Sequence, residues 1–258
     1  MSIPQSVPAT DAPRERVDVS VVVPFYDEAD NVTALIEEIV AAMGALAYEI
    51  VAVDDCSRDA TLARLEQAAQ RYPQLHVVRH AVNRGQSAAL CSGADHARGE
   101  WLATLDGDGQ NDPADVPRLL AQVVDARSCP DMLCGHRRTR RDDFLRRLSS
   151  RVANGVRARL LGDATPDTGC GLKLIRRTVF MALPRFDHMH RFLPALVLRG
   201  GGEVESVAVA HRPRLHGTSK YGMWNRLGVG IVDLAGVMWL KRRAFRAPPA
   251  RNQRDDDE

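Results

Sequence analysis

Two aspartates near the middle of the chain have the residue type and the spacing of a site for a hard cation. Asp106 and Asp108 follow a short apolar run and are separated by Gly107, in the segment LATLDGDGQND. Glycine lets the backbone bring both carboxylates to one point, and carboxylate oxygens are the ligands that Mg²⁺ and Mn²⁺ prefer. Taken by itself, such a pair is more typical of a plain turn. An EF-hand loop is excluded because its further ligands and its closing Glu are absent.

A second acidic cluster, DDCSRD, follows the apolar run 49–53. The carboxylate of Asp54 or Asp55 could accept a hydrogen bond from a base N–H or from a ribose hydroxyl. Ser57 is a good N-cap for the helix predicted after it. A lone acidic turn is more often structural, so both interpretations stay open at this point.

A third cluster, PFYDE, ends the β-branched run near the N-terminus. Tyr26 could pack and Glu28 could cap the next helix, so neither has a defined role by itself. Neither G-x-G-x-x-G nor G-x-x-x-x-G-K-[ST] follows this run, which excludes a Rossmann dinucleotide site and a P-loop. A nucleotidyltransferase usually has a Gly-rich, Lys-containing loop here, and PFYDEADN stands instead.

Predicted strands and helices alternate at short intervals through the first half of the chain. This alternation predicts an α/β fold with a mostly parallel central sheet flanked by helices on both faces. The three polar clusters then meet at the carboxyl ends of the strands, where such sheets bind ligands. The predicted strands are 17–23, 49–53, 75–79 and 101–105, and the predicted helices are 30–43 (capped by Asp30), 61–71, 86–97 and 115–126.

The second half is less regular and ends in an apolar segment. A helix is predicted over 143–161, strands over 171–175 and 203–209, and a cation-rich loop over 211–222. The apolar segment 223–240 carries tryptophans near both ends and is too short to span a bilayer, which takes about 20 apolar residues. Both an amphipathic helix in the membrane interface and a buried core helix fit this pattern.

The composition is that of one large domain with short appendages. The chain has 258 residues, of which 45% are hydrophobic, and its net charge of +2 does not favour nucleic acid as a partner. Five cysteines without framework spacing, and an N-terminus without an apolar signal-peptide core, predict a cytoplasmic protein with reduced thiols.

In this order and spacing, the three clusters are far more specific than any one of them. With further segments they resemble the inverting family 2 glycosyltransferases of GT-A fold. Within that family they resemble the dolichol-phosphate mannosyltransferases and related polyprenyl-phosphate hexosyltransferases. The resemblance covers about residues 17–240. The matching segments are VSVVVPFYDEADN, EIVAVDDCSRDAT, NRGQSAAL, WLATLDGDGQNDP, GHRRTRRDDFLRR, DTGCGLKLIRR and HRPRLHGTSKYG.

The resemblance implies a donor site formed by the PFYDE and DDCSRD clusters. Pro24, Tyr26 and Glu28 would lie along the nucleotide, and Asp55 or Asp54 would contact the base. The implied donor is a nucleoside-diphosphate sugar, and both GDP and UDP, with mannose, glucose or another hexose, fit the pattern.

The resemblance also implies a metal site for Mg²⁺ or Mn²⁺. Asp106 and Asp108 match the motif for the metal and the donor diphosphate, and Gln110 matches a third metal-proximal position. The chain departs from the family pattern at two positions. Asp27 stands where Asn is usual, and Cys56 stands where Gly is usual, so the base-binding turn loses backbone freedom.

Cations in two segments are implied to bind phosphate. Arg137 would meet the donor diphosphate or the acceptor phosphate, and Arg140 belongs to the same basic run. Arg214, Ser219 and Lys220 match a mobile, phosphate-clamping loop. By itself the basic run could be a solvated helix start or a nucleic-acid patch, but no aromatic residues interleave its arginines, which disfavours nucleic acid.

The choice between a hydroxyl acceptor and a phosphate acceptor depends on whether the acceptor has to lose a proton. A sugar hydroxyl needs a base, and Asp167 stands where such a base could lie, although a turn carboxylate fits equally well. A lipid phosphate is largely dianionic near neutral pH, since its second pKa is about 6, and needs cations to place it. The sequence therefore predicts hexose transfer to a polyprenyl phosphate. The alternatives are a family 2 enzyme that acts on a sugar hydroxyl and a non-catalytic nucleotide-sugar-binding subunit.

The predicted organisation has four parts. Disordered tails are expected over 1–16 and 242–258, a glycosyltransferase catalytic domain over 17–222, and an apolar interfacial helix over 223–241. Such a protein is expected to be peripheral on the inner face of the membrane, where a separate membrane protein could be its partner.

Overall fold

The computed structural model describes residues 17–124, 129–137, 160–163, 165–213 and 223–243. The structure does not describe the predicted tail 1–16, nearly all of the predicted helix 143–161, or the predicted phosphate ligands Arg140, Arg214, Ser219 and Lys220. Of the predicted tail 242–258 it describes the first two residues, and the last helix ends at Arg242, inside that tail. In chain order the elements are β1 (Val19–Phe25), α1 (Ala29–Met43), β2 (Tyr48–Asp54), α2 (Thr61–Arg71), β3 (Leu75–Arg79), α3 (Gln86–His96), β4 (Trp101–Thr104), α4 (Asp115–Val124), β5 (Met132–Arg137), β6 (Lys173–Arg176), α5 (Arg177–Met181), a 3₁₀ turn (Met189–Arg191), α6 (Leu193–Arg199), β7 (Val204–Val209) and α7 (Met223–Arg242).

Within the described residues, seven strands form one sheet in the order β3-β2-β1-β4-β6-β5-β7. β1 pairs in parallel with β2 and with β4, and β2 pairs in parallel with β3. β6 runs antiparallel to both of its neighbours, whereas β5 and β7 are parallel to each other. The carboxyl ends of β1, β2 and β4 therefore lie side by side at one edge of the sheet.

Helices cover both faces of this sheet. β1 is a β-branched run in which alternate residues face opposite layers. Val21 and Val23 pack with α1, α2 and α4 in one buried cluster. Val22 packs with α3, α5 and α6 in the other. The predicted α/β architecture, with a mostly parallel sheet between helical layers, is confirmed.

The element boundaries differ from the predictions in ways that have local causes. β1 continues through Pro24 to Phe25, because the residues pair with β2 up to the register Phe25–Asp54. α1 begins at Ala29, so Asp30 lies in its first turn and is not the cap that the sequence predicted. β5 was not predicted, because MLCGHR lacks a β-branched run and is held in the sheet by pairing with two strands that are distant in sequence.

The apolar helix α7 is buried on one side and exposed on the other. Val237 is buried, and Leu234 and Met238 pack against the second core cluster. Val232 and Trp239 are 71% and 60% exposed. One side of the helix thus belongs to the core, and the predicted place of the other side in a membrane interface stays a prediction. Within the described residues, no helix is long and apolar enough to cross a membrane.

Candidate active site at the carboxyl edge of the sheet

Asp106 lies just beyond β4 and is held from three sides. Its backbone N–H donates to Asn111 Oδ1 at 3.1 Å, and its Oδ1 accepts from Gln86 Nε2 at 2.8 Å. Gly171 packs directly on the carboxylate, because a Cβ at that position would lie 2.2 Å from Asp106 Oδ2. The turn that follows is fixed in part by Asp108, whose Oδ1 accepts from the backbone N–H of Gln110 at 3.1 Å.

The pKa of Asp106 is affected by its burial and by the neighbouring carboxylate of Asp108. Burial, and after it the charge of Asp108, raise the pKa of Asp106 from 3.8 to about 6. The charges of Lys173 and Arg137 and the hydrogen bond from Gln86 act in the opposite direction. A cation between the two carboxylates would relieve their mutual repulsion.

The donor atoms at this edge suit a divalent cation whose remaining coordination positions are filled by substrate phosphates and waters. Among the described residues, no group of three or more His, Cys, Asp or Glu side chains is placed to hold a metal ion. Mg²⁺ is commonly bound by one or two carboxylates together with substrate phosphates and waters. Asp106 and Asp108 provide two such carboxylates. The side-chain amide of Gln110 reaches toward the carbonyl of Arg212 at 3.5 Å, and its role as a metal neighbour stays a prediction.

Asp55 organises the loop between β3 and α3. Its Oδ1 accepts from His80 Nδ1 at 2.6 Å and from the backbone N–H of Arg84 at 2.8 Å. Its Oδ2 accepts from the backbone N–H of Gly85 at 2.8 Å, and His80 Nε2 lies 2.9 Å from Ser92 Oγ. The carboxylate therefore anchors this loop. A contact with the donor base, which Oδ2 could still accept, stays a prediction.

The turn after β2 is tied to the turn after β1. Asp54 is buried, and its carboxylate accepts weakly from the backbone N–H of Ser57 at 3.3 Å. Ser57 Oγ accepts from the backbone N–H of Asp27, and Asp27 Oδ1 accepts from the backbone N–H of Arg58 at 2.6 Å. Ser57 is thus a partner of the first turn and not the predicted helix cap, since Ala60 occupies the N-cap position of α2.

Asp27 and Cys56, the two departures from the family pattern, share one backbone feature. Both have positive φ, 49° and 62° respectively. Asn and Gly adopt this left-handed region more easily than most residues do. The structure thus gives a physical reason why Asn and Gly are usual at these positions.

The remaining predicted donor residues lie along the end of β1. Glu28 occupies the N-cap position of α1 but makes no side-chain capping bond; its Oε2 accepts from Asn31 Nδ2 at 2.6 Å. Tyr26 is partly buried just beyond the strand. The carbonyl of Pro24 would lie 2.7 Å from a Cβ on Gly107, so the first and third clusters touch. Their contacts with a nucleotide stay predictions.

Arg137 ends β5 and is bound by the carboxylate of Asp167. Its Nε donates to Asp167 Oδ2 at 2.6 Å, and its Nη2 donates to Oδ1 at 2.9 Å. The two side chains are only 14% and 11% exposed. Hydrogen bonding to Asp167 is the main reason why the pKa of Arg137 is raised, and Asp106 contributes to the same shift. The pair therefore places a permanent cation near the carboxylate pair.

Sequence reasoning missed several side chains that complete this edge. Gln86 begins α3 and Lys173 begins β6, so both are distant in sequence from the carboxylate that they influence. The buried ammonium of Lys173 donates to the carbonyl of Cys170. No local spacing in the sequence singles out either residue as part of a site.

Residues 20–183 match the family model described as glycosyl transferase family 2. The chain is similar to dodecaprenyl-phosphate galacturonate synthase of Rhizobium johnstonii, at 37% identity over 95% of this chain and 73% of the relative. It is also similar to undecaprenyl-phosphate 4-deoxy-4-formamido-L-arabinose transferases of Edwardsiella ictaluri and Pseudomonas fluorescens, each at 38% identity. It covers 66% and 64% of the length of these two proteins and thus leaves about a third of each unmatched.

Solved structures share the fold at low sequence identity. Glucosyl-3-phosphoglycerate synthase of Mycobacterium tuberculosis, in complex with UDP, superposes with a TM-score of 0.67 at 16% identity, over 90% of this chain and 82% of that one. A mannosyltransferase of Pyrobaculum calidifontis, in complex with GDP-Man and Mn²⁺, gives a TM-score of 0.60 at 22% identity, over 91% and 66% of the two chains. The similarity concerns the fold alone, and it agrees with the predicted GT-A type.

Proposed function

The chain belongs to glycosyl transferase family 2, and we propose that it transfers a sugar from a nucleoside-diphosphate donor to a polyprenyl phosphate. The family match and the fold together confirm three predictions from the sequence: family 2, the GT-A fold and the glycosyltransferase class. Mannose and glucose were the predicted sugars. Because the similar proteins are named for galacturonate and 4-deoxy-4-formamido-L-arabinose, the proposal leaves the sugar open.

One observation carries the choice of acceptor. Both oxygens of Asp167 are bound by Arg137, and Oδ2 lies in addition 3.4 Å from the backbone N–H of that residue. A carboxylate engaged in this way supports a cation and is poorly placed to deprotonate a sugar hydroxyl. A phosphate monoester needs no base, because it is largely ionised near neutral pH with a second pKa of about 6. The Arg137–Asp167 pair therefore favours a phosphate acceptor over a hydroxyl acceptor.

The reaction needs charge stabilisation more than proton transfer. Loss of the nucleoside diphosphate leaves oxocarbenium character on the sugar and adds negative charge to the β-phosphate. A divalent cation held by Asp106 and Asp108 would supply Lewis-acid stabilisation of that phosphate. Arg137, fixed by Asp167, would orient the attacking phosphate or the leaving diphosphate. Gln86 and Gly171 hold the Asp106 carboxylate in place for this task.

The exposed side of α7 fits a lipid surface. Val232 and Trp239 face outward, and the guanidinium of Arg243 lies 6.0 Å from the centre of the Trp239 ring. Aromatic residues next to basic ones are typical of helices that lie in the membrane interface. This supports the proposal that the protein works at a membrane surface, where a polyprenyl phosphate presents its head group; its place on the cytoplasmic face stays a prediction from the sequence.

Transfer assays with a panel of donors test this proposal. The purified protein is incubated with Mn²⁺ or Mg²⁺ and with UDP-glucose, UDP-galacturonate, UDP-galactose or GDP-mannose, each with undecaprenyl or dolichyl phosphate. At least one pair is expected to yield a glycosylated lipid phosphate. Excess EDTA should abolish the reaction, and Asp108→Asn should lower turnover by orders of magnitude in a folded protein. Transfer at full rate in EDTA would refute the metal proposal.

A further inference from the structure

The segment 187–190 lies against the first turn of α3, next to the metal-site carboxylates. A Cβ on Gly85 would lie 3.7 Å from Asp187 Oδ1. Ser87, two residues further on, is buried, and its Oγ lies 2.7 Å from His190 Nδ1. Between Gly85 and Ser87 stands Gln86, the residue that donates to Asp106. The His190 ring is thus fixed to the same helical turn that holds the Asp106 carboxylate.

The contacts of Ser87 leave His190 Nδ1 a hydrogen-bond donor in the Ser87 hydroxyl. The Ser87 hydroxyl oxygen accepts from the backbone N–H of His190 at 3.2 Å. The hydroxyl keeps its own proton, which it can donate to His190 Nδ1 at 2.7 Å. A nitrogen that accepts a hydrogen bond in a neutral imidazole leaves the proton on the other nitrogen. When the Ser87 hydroxyl donates to Nδ1, the neutral ring carries its proton on Nε2.

The surroundings of His190 keep it neutral. Burial, and after it the charges of Lys173, Arg191 and His188, lower the pKa of His190 to about 3. Lys173 acts on Asp106 as well, so one ammonium lies within electrostatic reach of both side chains. A neutral donor at this place can face a sugar oxygen without adding charge beside Lys173.

No described residue accepts a hydrogen bond from His190 Nε2, and the residue is partly exposed. The Nε2 atom points away from Ser87, on the far side of the ring. From this placement beside the metal-site turn we infer that His190 carries its ring proton on Nε2 and donates it in a hydrogen bond to an oxygen of the donor sugar. This inference rests on the proposed function, because it assumes that a sugar nucleotide occupies the carboxyl edge of the sheet.

Two substitutions separate this contact from the structural bond to Ser87. The amide of Asn reaches about as far as Nδ1, so His190→Asn retains a partner for Ser87 and loses the distal donor. The amide of Gln reaches about as far as Nε2, so His190→Gln keeps a donor at that position. His96→Gln is the matched control, since His96 lies at the exposed end of α3 and bonds only to the carbonyl of Ser92 among the described residues.

Calorimetry in the presence of Mn²⁺ measures the affinity of each variant for two ligands. One is the sugar nucleotide that the wild type binds most tightly, and the other is its parent nucleoside diphosphate. His190→Asn should weaken binding of the sugar nucleotide about 3- to 10-fold, the range expected for one neutral hydrogen bond. Binding of the nucleoside diphosphate should not change. His190→Gln should recover most of the loss, and His96→Gln should match the wild type.

Two results would overturn the inference. One is wild-type affinity of His190→Asn for the sugar nucleotide. The other is an equal loss for both ligands, which would mean that the residue only supports the fold or the diphosphate site. Thermal unfolding of each variant checks that it is folded. Because these measurements need no acceptor, failure to glycosylate a polyprenyl phosphate would refute the proposed function and leave this inference intact.

Discussion

Gly171→Ala is expected to damage the active site by displacing a single carboxylate. The added Cβ would lie 2.2 Å from Asp106 Oδ2, 2.4 Å from Cγ and 2.7 Å from Asn111 Oδ1. An ordinary contact begins at 3.4 Å, so the carboxylate has to retreat by about 1 Å if the backbone stays in place. A misplacement of about 1 Å in a catalytic group can lower the rate about 100-fold. Overpacking of this size also costs about 1–3 kcal/mol of folding stability.

The assay is the initial rate of sugar transfer, measured as kcat/KM together with Mn²⁺ affinity. Gly236→Ala is the control, because a Cβ on this α7 residue meets nothing within 4 Å. We expect Gly171→Ala to lose about 100-fold in kcat/KM and Gly236→Ala to lose nothing. In an Asp106→Asn background, Gly171→Ala should add little further loss, because both changes disable the same carboxylate. A folded Gly171→Ala enzyme with near wild-type kcat/KM would refute this reasoning.

Three further predictions concern stability and membrane binding. Cys56→Gly should raise the free energy of unfolding by up to about 1 kcal/mol, because Cys56 has a φ of 62°; chemical denaturation measures this, and Cys56→Ala, which keeps a Cβ, should show no such gain. The pKa of Asp106 is raised in the folded state from 3.8 to about 6, so the folded protein holds this proton more tightly than the unfolded chain and stability should fall as pH rises through that window. Asp106→Asn should lack this component in denaturant titrations with EDTA; an unchanged pH profile would contradict the assignment. Replacing Val232 and Trp239 together by Ser should weaken co-sedimentation with anionic vesicles and leave calorimetric donor binding unchanged; equal vesicle binding would count against an interfacial α7.

The parts of the fold that the sequence predicted are those with a strong local pattern. β2 is an interior strand and β3 the edge strand of the parallel part of the sheet, and their predicted limits agree with the structure to within one residue. β5 was missed because its stability comes from pairing with β6 and β7, which follow it by tens of residues. Non-local pairing of this kind leaves no periodic signal in a short segment.

The site residues fall into the same two groups. The local sequence pattern predicts some of them, and only the tertiary structure identifies the others. The strand-end clusters predicted where Asp106 would lie, because carboxyl ends of parallel strands share one edge. They did not predict Gln86 or Gly171, which reach Asp106 from 20 and 65 residues away along the chain. Asp167 was an open choice between a base and a turn carboxylate, and the structure adds its bidentate partner Arg137, which a one-dimensional pattern could not identify.

The central claim is that the acceptor is a phosphate that needs no base. The most direct test offers the enzyme undecaprenyl phosphate and undecaprenol in parallel, with the same sugar nucleotide and Mn²⁺, and detects lipid products by mass spectrometry. We expect a glycosylated undecaprenyl phosphate and no glycosylated undecaprenol. Transfer only to a hydroxyl, whether of undecaprenol or of a soluble sugar, would contradict it and would make Asp167 the first candidate for the base.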